Sequence, residues 1–164
     1  MAEKNTPPVT VRRAEERDID ALLKLLVQVN LVHHKGRPDL FRAATKYGAD
    51  DLKALLKDES SPVFVAADAE GRVLGHGFCR VEQHIGDRLL TDVKTLYVDD
   101  ICVDENARGR GVGRSVYEAI TAFARGIGCH NVTLNVWALN PGALAFYRKL
   151  GLVTYKYGME QILE

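Results

Sequence analysis

With 164 residues, the chain is long enough to bury a substantial apolar core in one domain. Lys plus Arg and Asp plus Glu both total 22, so global charge makes no case for nucleic acid or an anionic membrane as partner. Cys79, Cys102 and Cys129 lie far apart in apolar runs without metal-ligand spacing. They read as buried reduced thiols, and with no signal-peptide core or transmembrane run the expected location is cytoplasmic.

Residues 1–8 read as a flexible polar lead-in and 9–164 as a single domain. Val9 and Val11 alternate with polar residues as a short first strand. Ile19, Leu22, Leu23, Leu26 and Val29 recur at helical spacing, predicting a helix over 18–32 with one apolar face. Lys35-Gly36-Arg37-Pro38-Asp39 breaks it, and a shorter helix follows at 49–57. Segments 63–67 and 73–82 read as strands joined by Asp68-Ala69-Glu70-Gly71, and Gly86-Asp87 turns the chain back into 89–103. Gly75 and Gly77 predict a bulge or close packing. His76 and His84 read as ordinary strand residues rather than catalytic ones.

Between the apolar run 97–103 and a helix-like segment at 115–125 stands Arg108-Gly109-Arg110-Gly111-Val112-Gly113. A strand, a glycine-rich turn and a helix start make an anion site. The first helical N–H groups lack partners within the helix, and the aligned peptide dipoles add roughly half a positive charge. Gly109, Gly111 and Gly113 let a pyrophosphate approach the backbone, and Arg108, Arg110 and Arg114 add cations. A Walker loop is excluded, because Arg108 stands where its first glycine belongs and Arg114 replaces its lysine. The dinucleotide fingerprint fails too, since it requires glycine at Arg114 or Val116. What remains is Arg-x-x-Gly-x-Gly at Arg108, Gly111 and Gly113.

Segment 131–136 alternates like a strand, with Val132, Leu134 and Val136 on one side. Asn140-Pro141 opens a helix carrying Ala145, Phe146, Tyr147 and Leu150, and Gly151 stops it.

These two motifs, in this order, resemble the GNAT acetyltransferase superfamily. Its coenzyme A loop is Gln/Arg-x-x-Gly-x-Gly/Ala, and Asn-x-x-Ala-x-x-Phe-Tyr-x-x-x-Gly-Leu, from Asn140 to Leu152, is similar to its second conserved block, which ends in a helix and a final strand, implied here over 153–162. The resemblance covers Val9 to the C-terminus. It implies an α/β fold with a mixed, mostly antiparallel sheet flanked by helices, the fourth and fifth strands splayed. It also implies an acyltransferase using acetyl-CoA as cosubstrate, without a metal. Backbone at Ile101, Cys102 and Val103 would pair with the pantetheine arm, and the amides of Arg108, Gly109, Arg110, Gly111, Val112, Gly113 and Arg114 would hold the pyrophosphate. Asn140 matches a side chain contacting pantetheine, a role compatible with plain helix capping. Tyr147 matches the tyrosine that protonates the departing thiolate. Transfer from a phenol near pKa 10 to a thiolate near about 8.5 is uphill by roughly 2 kcal/mol, which the chemistry permits.

The run Tyr97-Val98-Asp99-Asp100-Ile101-Cys102-Val103 resembles the Tyr-Leu-Glu-Asp-Phe-Phe-Val of diamine acetyltransferases, and Asp99 falls where their glutamate is the proposed base. An ordinary carboxylate near pKa 3.9 is some 9 kcal/mol too weak to hold an alkylammonium proton directly, so attraction of a cationic acceptor or a water relay is the safer role. Neighbouring strand residues face opposite sides, so Asp99 and Asp100 share a face only if a bulge intervenes. Other members carry a glutamate where this chain has Asn135, which leaves the base among Asp99, Glu82 and water. The connector bearing His33, His34, Arg37, Asp39 and Phe41 would roof the acceptor pocket, with His33, Arg37, Phe41, Asp99 and Asp100 meeting the substrate. The expectation is an N-acetyltransferase acting on a small cationic amine, polyamine or amino-acid-like. A peptide N-terminus or protein lysine as acceptor, and a non-catalytic CoA-sensing domain, are the alternatives. Homodimers are frequent in the family.

Overall fold

The computed structural model describes residues 8–163, so all of the lead-in except Pro8 lies outside the described residues. Thr10–Arg13 (β1), Val63–Ala67 (β2), Val73–Gln83 (β3), Lys94–Val103 (β4) and Asn131–Leu134 (β5) form one sheet in chain order. The first three pairings are antiparallel and β4–β5 is parallel. Helices Ile19–Gly36 (α1) and Ala49–Leu55 (α2) cover one face, while Val112–Gly126 (α3) covers the other. Pro141–Lys149 (α4) follows β5.

Strand alternation builds this two-sided packing. In β2, Phe64 and Ala66 join Val112, Val116 and Ile120 of α3, whereas Val63 and Val65 join Ile19, Leu22, Leu26 and Leu52. Gly75 and Gly77 answer to close packing. A Cβ at Gly75 would stand 2.9 Å from the Cys102 carbonyl oxygen, and one at Gly77 would stand 2.7 Å from Cδ1 of Ile120.

Several boundaries differ from the sequence reading. α1 continues past residue 32 to Gly36, so His33 and His34 lie on its last turn rather than in the connector. Pro38 disfavours helical backbone at Arg37, whose N–H closes the last turn on the His33 carbonyl at 2.8 Å. β4 begins at Lys94, not residue 89, because Asp87 Oδ1 accepts the Leu89 and Leu90 N–H groups and holds that stretch as a turn. α2 ends at Leu55 rather than Lys57, α3 starts at Val112, and β5 stops at Leu134. Cys79 and Cys102 are buried, but Cys129 is half-buried. The expected strand at 153–162 is absent: the segment adopts no regular structure, because no strand among the described residues pairs with it.

Candidate active site

β4 and β5 pair from Thr95↔Asn131 to Val98↔Leu134. There β5 ends while β4 runs on to Val103, so the strands part and β4 keeps a bare edge. The Asp104 N–H donates to the Leu74 carbonyl of β3 at 2.8 Å. By alternation, the N–H and C=O groups of Ile101 and Val103 point away from β3, into the gap, while Cys102 turns its thiol toward the Leu25 carbonyl of α1.

A short 3-10 turn, Glu105–Ala107, carries the chain from β4 into the glycine loop. Gly109 and Gly111 have φ of +75° and +78°, and Gly111 is the N-cap of α3. L side chains rarely adopt that backbone, yet a Cβ at either glycine would meet nothing within 4 Å, so space over the loop is open. The Ser115 N–H bonds back to the Gly111 carbonyl at 3.0 Å. The N–H groups of Val112, Gly113 and Arg114 precede that first helical bond and point out of the helix end. Arg108 turns its Nε to the Val103 carbonyl, and Arg114 meets Glu118 at a loose 3.7 Å. Open space, orphan amides and the Arg108 and Arg110 cations, neither of them ion-paired among the described residues, fit a pyrophosphate, and the bare β4 edge fits an amide-bearing arm.

Asn140 caps α4, its Oδ1 accepting the Ala143 N–H at 3.1 Å. Phe146 packs on α3 so closely that a Cβ at Gly113 would stand 3.1 Å from its Cζ. The Tyr147 ring lies edge-on to Phe146 at 5.2 Å. Burial pushes the Tyr147 hydroxyl well above its ordinary pKa, and charge on Asp100, Tyr117 and Cys79 adds to the effect. Asp100 and Cys79 belong to opposite faces of the sheet, so charge from both faces acts on this phenol.

The two aspartates share a face. Phe78 of β3 stands opposite Asp100 and Cys79 opposite Val98, so Asp99 is an extra residue in β4, a bulge. Asp99 is ion-paired with Lys46, and Asp100 Oδ2 lies 2.7 Å from Nε2 of His76. Lys46 comes from the α1–α2 connector, and His76 sits edge-on to Phe78 in the core beneath α1. Glu82 is turned to Arg80 at 2.8 Å and lies opposite Thr95, about 13 Å along the strand from the bulge. Asn135 donates to the Tyr97 hydroxyl at 3.1 Å.

On the acceptor side, His33 stacks on Phe41 at 5.1 Å, and Phe41 meets the edge of Trp137 at 5.1 Å. Arg37 is paired with Asp39 at 2.7 Å and with Glu160. Two residues of this site, Lys46 and Trp137, were not singled out from sequence, and a third, His76, was read there as an ordinary strand residue. Trp137 had a signal, as the chain's one tryptophan immediately after an expected strand. Lys46 and His76 had none, since their partners are distant in sequence.

A splayed sheet, a phosphate-ready helix start and a buried tyrosine on the helix that follows β5 define a class, the coenzyme A-dependent acyltransferases. Residues 29–152 match the model of the Acetyltransferase (GNAT) family, and the chain belongs to that family. It is thus an N-acetyltransferase with acetyl-CoA as cosubstrate. Among its relatives, glucosamine 6-phosphate N-acetyltransferase 1 of Oryza sativa subsp. japonica is 36% identical over 71% of this chain and 66% of that enzyme. A probable glucosamine 6-phosphate N-acetyltransferase 2 of the same plant is 34% identical over 88% of this chain and 82% of its own. A crystal structure of a mutant protein from Bacillus halodurans superposes with a TM-score of 0.90 at 31% identity, covering 94% of this chain and 99% of that one. No helix among the described residues is long and apolar enough to cross a membrane.

Proposed function

We propose that the acceptor is the primary amine of a small molecule, met as a cation by the acidic face of the β4 bulge. The observation that carries this reading is the bulge itself, which turns Asp99 and Asp100 together toward the connector side, beside Tyr147. In this scheme the backbone at Ile101 and Val103 aligns the pantetheine arm and the 108–114 amides hold the pyrophosphate. The amine nitrogen, having lost a proton to water, bonds to the acetyl carbon; the carbon–sulfur bond breaks, and the nitrogen, now carrying one proton too many for an amide, releases it to water, from which Tyr147 is in turn reprotonated. Tyr147 gives its hydroxyl proton to the leaving thiolate. Its hydroxyl is protonated at neutral pH and so carries a proton to give, although the upward shift makes the transfer more uphill than from an ordinary phenol. His33, Phe41 and Trp137 supply an apolar wall for the acceptor's body.

A second reading, an amino-sugar phosphate, draws support from the rice relatives and from Lys46, a cation beside the aspartates able to meet a phosphate. Thiol release from acetyl-CoA with spermidine, an amino-acid amide, glucosamine and glucosamine 6-phosphate tests both. Turnover highest with an unphosphorylated amine supports the first reading, and turnover confined to the sugar phosphate replaces it with the second. A peptide or histone substrate outpacing all four overturns both.

A further inference from the structure

Among the described residues, Nδ1 of His76 is the one buried side-chain nitrogen or oxygen without a hydrogen-bond partner. The residue is 0% exposed, opposite Cys102 of β4 and edge-on to the Phe78 ring at 4.8 Å. However the ring is protonated, Nδ1 goes unpaired there, and an apolar side chain of similar size would fill the place at lower cost. Packing therefore gives no reason for an imidazole at this position. Its other nitrogen does, because Nε2 lies 2.7 Å from Oδ2 of Asp100. Asp100 stands opposite Phe78, two residues along β3 from His76, so the contact is a diagonal one between neighbouring strands. The core fixes the ring, and the ring fixes the carboxyl group it touches. The second oxygen of Asp100, Oδ1, has no partner among the described residues and is not enclosed, the side chain being 18% exposed.

Asp99, the extra residue of the bulge, is held differently. Its ion pair is with Lys46, a side chain 53% exposed on the irregular connector between α1 and α2. One carboxyl group is thus anchored in the interior of the sheet and the other to a surface loop, the kind of segment that varies most in position. Asp100 also stands close enough to Tyr147 to bear on its hydroxyl. Such anchoring matters for acyl transfer, where a misplacement of about 1 Å can cost around a hundredfold in rate.

We propose that Oδ1 of Asp100 accepts hydrogen bonds from the acceptor's amino group and aims its nitrogen at the acetyl carbon, that His76 is the positioning residue holding Asp100 in that pose, and that Asp99 secures the connector instead. This division of roles rests on the amine-acceptor reading above. The test is steady-state kinetics with the screened amine that the wild type turns over fastest, with acetyl-CoA titration and thermal unfolding of each variant. Asp100→Asn should lower kcat/KM for the amine at least tenfold more than Asp99→Asn, with acetyl-CoA affinity retained. His76→Leu should melt at the same temperature or higher and bind acetyl-CoA as before, yet lose at least tenfold in kcat/KM for the amine. His76→Gln, whose terminal amide reaches about where Nε2 stands, should recover most of that loss. Equal effects of the two aspartate variants would overturn the proposal. So would a leucine variant with wild-type kinetics, one whose loss follows lost stability and weakened acetyl-CoA binding, or a folded glutamine variant no better than leucine. If the leucine variant does not fold, the aspartate pair decides the matter. Absence of wild-type turnover on every amine would strike the amine-acceptor reading itself, and the proposal with it.

Discussion

Tyr147 shows how one side chain is tuned by where the backbone leaves it. Burial acts first, because a phenolate there would lose its hydration, and the Asp100 carboxylate then disfavours a second negative charge. The acid is therefore protonated throughout the neutral range and available to the thiolate. Tyr147→Phe should lower kcat by about tenfold to a hundredfold while leaving KM for acetyl-CoA nearly unchanged, since the ring packing on Phe146 survives. The wild-type kcat should show no alkaline loss below about pH 10, the ordinary value above which this phenol is shifted. Initial rates from pH 7 to 10.5 check both expectations, and full activity in the variant would remove the acid role. At this scale the sequence named Tyr147 through its motif, but it left the two aspartates ambiguous. Their shared face depends on a one-residue slip against Phe78 and Cys79, some twenty residues away in the chain, which no local pattern encodes.

Elements whose signals are local were the legible ones. The presence of α3 follows from the glycine-rich turn and the helix pattern beyond it, though its first turn at Val112 does not, and α4 follows from Asn140-Pro141 and Gly151. The splay of β4 and β5 came through family resemblance rather than periodicity, because a strand's pattern does not say where its neighbour stops. The glycine loop gives the prediction proper to this scale. Gly111→Asp places an L residue at φ +78° and a carboxylate beside the α3 amides. The strain is about 1–2 kcal/mol, modest beside the electrostatic conflict with a diphosphate. Calorimetric titration should show acetyl-CoA affinity falling at least tenfold while the far-UV spectrum is unchanged. Gly111→Ala separates the two effects, since it carries the strain without the charge and should bind more tightly than the aspartate variant. Equal binding by all three proteins would count against the loop as the pyrophosphate site.

For the whole molecule, the question is what ties the α1–α2 layer to the sheet, and an ion pair outside the hydrophobic clusters takes part. Asp18, 4% exposed at the head of α1, receives both nitrogens of Arg12 on β1 at 2.7 and 2.9 Å and the Glu15 N–H at 2.8 Å. Burial alone would raise this carboxyl's pKa, but the Arg12 hydrogen bonds and charge and the Glu15 amide outweigh it and hold the group below its ordinary value of 3.8. No local pattern marks this pair: Arg12 falls among the polar residues that follow Val9 and Val11 in the first strand, and Asp18 at the start of the expected helix. A depressed folded-state pKa contributes stability above the unfolded value and loses it as pH falls through the folded one. Urea unfolding should therefore become easier below about pH 4. Asp18→Asn should be less stable than wild type by roughly 2–3 kcal/mol at pH 7, because Arg12 keeps its charge without a counterion, and the gap should narrow as pH drops toward 2. A gap that stays constant between pH 7 and 2 would mean that the aspartate stabilises through shape and hydrogen bonding, with no part played by its ionisation.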